Sequence, residues 1–423
     1  MLTEKVSGTL VGLWLLLPEH LRLGTWDLLA AWTGRHDATA IEPRLALQMI
    51  HESALCVNGV RQQRTLRQKG FETLNGLPFV ATDQAIHQLL DQHTIAEAES
   101  LQLALGQVRQ ARGHFPGHFV LLDPHRIVTW SKRQVQLKKK SNLAATVNKM
   151  LQTFFAIDGE SGQPLTVGIG SSSVTITQAT LPLVARLEKV LPTTALLIGD
   201  TEHFTLELLN HFASHPKFSI LLPAPQRQSL LQQIAAMKFK RLWAGYAVAE
   251  EKYQLADQKA IRLLGQRTGE TQNTYAYKPF VTTCKKPAAD LMTLVFPERW
   301  NIEEFFNCES TLGWNRASTL NLNIRFGRLS MALIAQAACY ELRKKLPGGI
   351  KDWTAESLAR KLFNGIDGDI RVKDDTIIVT FYNAPEASAL KKHYENLPAK
   401  LEAEGVNPKV PWLYNFKVDF RFK

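Results

Sequence analysis

Cysteine is scarce in this 423-residue sequence, and the four present, Cys56, Cys284, Cys308 and Cys339, form no CxxC pair and lie far apart. That spacing excludes a zinc finger and a disulfide framework and implies reduced thiols in a cytosolic protein. Long apolar runs are absent too. Leu10-Val-Gly-Leu-Trp-Leu-Leu-Leu-Pro18 is too short to span a bilayer and no small-residue cleavage site follows it, so a buried helical segment is expected and no membrane partner. Neither an internal repeat nor a low-complexity tract appears. Acids are outnumbered, 39 Asp and Glu against 50 Lys and Arg, giving a net charge of +11 spread along the chain. A polyanion is the natural partner of such a surface, a merely basic enzyme being the alternative. The length allows two or three domains and a large core.

Residues 1–112 read as helices with polar breaks, apolar periodicity running through Trp26–Trp32, Leu45–Leu55 and Ile86–Leu90. Thr82 and Asp83 are N-cap candidates, and Thr94-Ile-Ala-Glu97 is a capping box that opens the next helix. This all-helical segment is either a helix-turn-helix-like module presenting Gln84, His87 and Gln88 to a groove or a plain bundle. Arg61, Arg64 and Arg67 would serve equally as phosphate contacts or as a solvated face.

From residue 113 the period changes. His118–Asp123, Thr153–Asp158 and Pro164–Ile169 predict three consecutive strands, with a basic excursion, Arg126–Val135 and Lys138-Lys139-Lys140, between the first two. A helix at Gln178–Val190, a strand at Ala195–Asp200, a helix at Thr205–Ala213 and a strand at Phe218–Leu222 follow. These make 113–222 the first part of an α/β core. Residues 223–294, rich in Lys, Arg, Tyr and Thr, are expected to be a folded β-rich insertion, since structureless loops of that length are rare. The core resumes over 295–346 with a helix from Pro297 and a longer one from Ser318 to Lys345, on which Arg325 and Arg328 lie one turn apart. Residues 347–423 form a small α+β region: a hairpin turning at Asp374-Asp375, a helix across Ala387–Glu404 and a closing strand of alternating Phe416, Val418, Phe420 and Phe422.

Three acids carry the chemistry. Asp123 and Asp200 each end an apolar strand, and in a mostly parallel sheet active-site residues sit at the carboxyl ends. If the strands are neighbours, the two carboxylates repel and are stable together only with one protonated or with a cation between them; an oxygen-only site selects magnesium or manganese. Glu303 supplies a third ligand. Two divalent ions roughly 3.5–4 Å apart would serve an in-line displacement at phosphorus. The alternative for each aspartate is a strand-end turn former. Around Glu303, Pro297 suits a first helical position, and Arg299, Glu303, Phe306 and Ser310 fall on one helix face. A guanidinium there keeps the glutamate ionised and can fork onto a phosphate; the pair would otherwise be an ordinary surface ion pair. Glu304 is an alternative ligand about 100° around the helix. His114, His118 and His125 cluster in sequence without a matching ligand set and are assigned no metal.

With these residues in place the chain resembles the DDE transposases of bacterial insertion sequences, the group whose third acid lies in a Tyr-(2)-Arg-(3)-Glu-(6)-Lys signature. The resemblance covers nearly the whole chain. It is specific around Arg299-Trp-Asn-Ile-Glu303-Glu-Phe-Phe306 and moderately so at Asp200-Thr-Glu-His-Phe204, with spacings of 77 and 103 residues between successive acids and the insertion in the longer gap. The signature tyrosine is Phe296 here and the lysine is Ser310. The resemblance implies a multidomain protein with a ribonuclease-H-like α/β core, an all-helical N-terminal DNA-binding domain, a β-rich insertion and a C-terminal α+β region. It implies that Asp123, Asp200 and Glu303 hold two Mg2+ or Mn2+ ions, that water nicks double-stranded DNA at the element ends, and that the freed 3′-hydroxyl attacks a target strand. Arg299, Lys138, Lys139, Lys140, Arg325 and Arg328 are the expected DNA contacts, a homodimer the expected synaptic form, and the bacterial cytoplasm, on the nucleoid, the expected place. A transposase-derived DNA-binding protein or nuclease without strand transfer is the other reading. A hydrolase of small phosphoesters would not need so many dispersed cations.

Overall fold

The computed structural model describes residues 5–8, 10–57, 66–132, 134–139, 146–255, 259–315 and 319–423. The chain forms two compact units, one of Met1–Arg109 with Phe306–Lys423 and one of Gln110–Phe305. The first, made from both ends of the chain, is called the outer unit and the second, from its middle, the central unit. Among the described residues no helix is long and apolar enough to cross a membrane.

In the outer unit the apolar segment after Leu10 is buried as expected, a 3-10 turn at Val11–Leu16 running into a helix at Leu17–Arg22. Thr82 caps the helix Asp83–Gln92 by accepting from the Ala85 amide, and Thr94 and Glu97 bond reciprocally at the start of Ile95–Ala111. The segment is not wholly helical: β1 (Val6–Gly8) is a strand. It pairs antiparallel with β12 (Gly368–Lys373), which turns through Asp374, at φ 54°, into β13 (Thr376–Phe381). The closing strand β15 (Phe416–Phe422) runs parallel to β13, with the short β14 (Lys409–Val410) at its other edge. The single helix expected over Ala387–Glu404 is two, Ala387–Tyr394 and Leu397–Ala403, because Asn396 takes a left-handed conformation at φ 55° just before Pro398.

The long helix Leu322–Arg343 starts later than expected, capped by Asn321, whose side chain accepts from the Ile324 amide at 3.2 Å. Ser318 lies outside the described residues. This helix packs on Glu42–Ala54 and Asp83–Gln92, within the same unit. Gly327 permits the close approach: a Cβ there would lie 2.6 Å from Leu90 Cδ2.

The central unit is built on one sheet. Its first strand, β2 (Phe119–Val128), pairs antiparallel with β4 (Val147–Asp158), which also carries β3 (Leu137–Lys139) and β5 (Pro164–Gly170). Beyond β2 come β6 (Ala195–Ile198) and β7 (Phe218–Pro223), both parallel to it in succession. Helices Ile176–Val190 and Leu206–Ala213 make the crossovers, each capped by a threonine, Thr175 and Thr205. The order β5-β4-β2-β6-β7 thus joins an antiparallel half to a parallel half at β2.

The 223–294 segment is β-rich, as expected, and continues the sheet of the central unit. After a helix at Gln228–Ala235 that the sequence reading had taken as extended, β8 (Lys240–Trp243), β9 (Tyr246–Gln254), β10 (Ala260–Thr268) and β11 (Ala276–Thr282) run antiparallel, and β11 pairs with β7. The buried Phe280-Val281-Thr282 run completes the edge of β7, and the Thr282 hydroxyl donates to the Ile220 carbonyl at 2.7 Å. The segment therefore widens the sheet of the central unit.

Candidate active site

The pairing of β2 with β6 brings the two aspartates together. Leu121 is paired with Ile198, and both strands run parallel, so two residues further on Asp123 lies across from Asp200. Asp123 is not at the end of its strand, as had been expected; β2 continues to Val128 on its other edge, where Asp123 pairs with Phe155 of β4. What ends near Asp123 is only the parallel ladder.

Asp200 does leave its strand, and its carboxylate caps the 3-10 turn Thr201–His203, accepting from the Glu202 amide at 3.0 Å. The same oxygen accepts from Nδ1 of the buried His203 at 2.7 Å. Gly199 makes room for that imidazole, since a Cβ there would sit 2.8 Å from His203 Cγ and 2.9 Å from Leu222 Cδ2. Burial pulls the Asp200 pKa up, but the His203 bond and charge, the Glu202 amide and the charge of Arg299 outweigh it, so the net shift is downward. Asp123 behaves oppositely. Burial and then the charge of Asp200 push its pKa up to about 7, with His203 and Arg299 opposing. Two neighbouring carboxyls are thus driven apart, one ionised and one holding its proton near neutrality.

The helix Trp300–Glu309 delivers the third acid. It grows out of a π turn at Leu291–Val295 and a 3-10 turn at Phe296–Arg299 that contains Pro297. Phe305 packs against Phe155 at 6.0 Å between ring centroids, and Asn301 Nδ2 donates to the Gly159 carbonyl at 2.9 Å, fixing the helix to β4 and the turn after it. Arg299 Nη2 donates to Glu303 Oε1 at 3.0 Å, and the arginine's charge also reaches Asp123 and Asp200. Ser310 begins a new 3-10 turn after the α-helix ends at Glu309, so the expected single face from Arg299 to Ser310 does not persist.

Among the described residues no three His, Cys, Asp or Glu side chains gather closely enough to hold a metal ion. The donor set nevertheless fits a hard divalent cation: oxygen ligands only, with a buried Asp123 whose ionisation Asp200 opposes and a cation would favour. Glu303 is engaged by Arg299 and not with the aspartates.

Other sequence candidates lie elsewhere. Arg325 is only 4% exposed, and burial lowers its pKa to about 10. Arg328 faces Asp83 at 3.6 Å. Both side chains lie in the packing between the long helix and its neighbours. Lys138 and Lys139 lie on β3; their side chains, and Lys140, Arg61 and Arg64 altogether, fall outside the described residues. His118 pairs with Glu160 at 2.8 Å, His125 meets Phe155 edge-on, and His114 is buried, so the three histidines build no common site.

Three features near Asp200 go beyond the sequence candidates: His203, the Arg126–Glu202 ion pair and Lys278. His203 and Glu202 lie within the Asp200–Phe204 motif, so their proximity to Asp200 was readable. Lys278 carries no such signal. It enters a cleft of about 480 Å³ lined by Asp200, Gln266, Lys278, Phe296, Arg299 and Trp300.

Residues 117–337 match the transposase DDE domain family. A solved piggyBac transposase synaptic complex with hairpin DNA is similar over 85% of this chain and 82% of that chain, at 10% identity and a TM-score of 0.46. No curated protein sequence matches. The family match covers more than half of the chain and contains both aspartates and Glu303, and the chain belongs to the transposase DDE domain family.

Proposed function

We propose that this protein is a cut-and-paste transposase that binds the ends of its own insertion sequence, cleaves there and joins the freed 3′ ends to target DNA. The observation that carries this reading is the register placing Asp123 across from Asp200, with Arg299 acting on both and bonded to Glu303. The order β5-β4-β2-β6-β7, three antiparallel strands followed by two parallel ones, supports a ribonuclease-H-like core.

Asp123, Asp200 and Glu303 would hold two divalent ions, magnesium or manganese. When bound, such ions lower the pKa of an attacking oxygen and stabilise the leaving one at phosphorus. The chain's own residues do the rest. His203 fixes the Asp200 carboxylate, and Arg126 pairs with Glu202, partly offsetting a charge that would otherwise add to the burden on Asp123. Glu303, joining the aspartates, releases the Arg299 guanidinium to fork onto a non-bridging phosphate oxygen. The net positive charge favours double-stranded DNA as partner, and pairing two element ends calls for a homodimer.

The test is a plasmid carrying the coding sequence with its native flanks, incubated with protein and Mg2+. Excision with rejoining at a new site is expected. Cleavage without joining would establish the nuclease reading instead, and no cleavage by protein that binds the flanks would leave a DNA-binding protein only.

A further inference from the structure

The sheet extension brings a cation to the acids. Ile198 of β6 pairs with Leu221 of β7, and Pro223, two residues on, pairs with Phe280 of β11. Asp200 and Phe280 thus flank the same end of β7. Lys278 is two residues before Phe280, on the same face of β11 and two residues past the end of β7, opposite Gln266 of β10. Its Nζ lies 5.4 Å from the Phe280 ring centroid and 5.6 Å from that of Phe296, which hold the side chain in the cleft by cation–π contact. Among the described residues no carboxylate forms an ion pair with it. Its charged neighbour is Arg299, and partial burial together with that like charge lowers the Lys278 pKa. Two cations held side by side in a cleft beside an aspartate are stable together when an anion lies between them.

We propose that Lys278 and Arg299 form a phosphate-binding subsite that grips a backbone phosphate of the DNA strand entering the cleft beside Asp200. The inference rests on the functional reading above and adds to it a role for the widened sheet, whose strand β11 supplies the lysine. Arg299 contributes a planar fork and Lys278 a point charge, so the two approach one phosphate from different directions.

The test is a salt titration of binding to a fluorescent thirty-base-pair duplex with a single-stranded 3′ overhang, in EDTA so that no cleavage occurs. Wild type, Lys278→Gln, Lys278→Met and Lys278→Arg are compared. Each lost phosphate contact flattens the slope of log affinity against log salt by roughly 0.7–0.9. Lys278→Gln and Lys278→Met should both show that loss, and Lys278→Arg should keep the wild-type slope. Unchanged slopes in Gln and Met variants of a salt-sensitive wild type would overturn the subsite alone. Retention by Met with loss in Gln would mean that Lys278 only packs between the rings, overturning it too. A wild type with no salt-dependent binding would overturn both the subsite and the transposase reading.

Discussion

The helix Trp300–Glu309 carries two glutamates whose arginine pairings are of opposite character. At its start Arg299 holds Glu303 at 3.0 Å, with the side chains 23% and 43% exposed; at its end Glu309 is held by Arg343 at 2.8 Å, with 8% and 11% exposed. The second pair is locked. Arg343 also donates to the Trp353 carbonyl, and separating it from Glu309 would strand a charge in the interior of the outer unit. The first pair is held mainly by a bond that water could replace, so Glu303 can leave it at little cost. The same chemistry therefore gives a fastener in one place and an exchangeable pair in the other, and burial decides which.

The largest effects should separate the two ends. Asp123→Ala, Asp200→Ala and Glu303→Ala should each abolish Mg2+-dependent cleavage in a plasmid nicking assay while leaving DNA binding near wild type, and double variants should be little worse than singles. Arg343→Ala should instead lower stability by about 3–5 kcal/mol in urea unfolding. Glu303→Ala should change it by about 1 kcal/mol or less. Equal destabilisation by the two would erase the contrast.

Asp123 sharpens the same point through pH. Its folded pKa of about 7 lies above its ordinary value of 3.8, so between those values the folded protein keeps a proton that the unfolded chain has released. Metal-free stability should accordingly fall as pH rises from about 4 to 7, with no further contribution from Asp123 above that. Asp123→Asn should flatten that fall in thermal melts and remove the rise in Tm that Mg2+ gives wild type at pH 8. A smaller effect is expected at Gly199→Ala, which displaces the imidazole under Asp200 and should raise the Mg2+ concentration needed for half-maximal nicking by about 10–100-fold. The smallest belongs to Arg328→Gln, whose DNA salt slope should match wild type because that side chain faces Asp83.

Local patterns were legible wherever one segment decides its own structure. The Thr94–Glu97 box, the turn at Asp374 and the alternating closing strand follow from spacing and side-chain type, and the structure contains each. Asp123 and Asp200 were readable as partners because apolar strands lead into both, though the continuation of β2 past Asp123 was not, since Pro124-His125-Arg126 resembles a loop. Long-range choices were hidden. Nothing in Gly327 announces that Leu90 will sit against it, and nothing local announces that Arg325, an expected DNA contact, is buried. Lys278 was one basic residue among many until the β7–β11 pairing placed it beside Asp200.

The central claim is that Asp123, Asp200 and Glu303 together hold divalent ions. Manganese binding measured by electron paramagnetic resonance, with duplex DNA present, tests it without relying on turnover. Wild type should bind Mn2+ tightly, and Asp123→Asn, Asp200→Asn and Glu303→Gln should each lose that binding; Mn2+ affinity unchanged in any one of them would contradict the assignment of that residue.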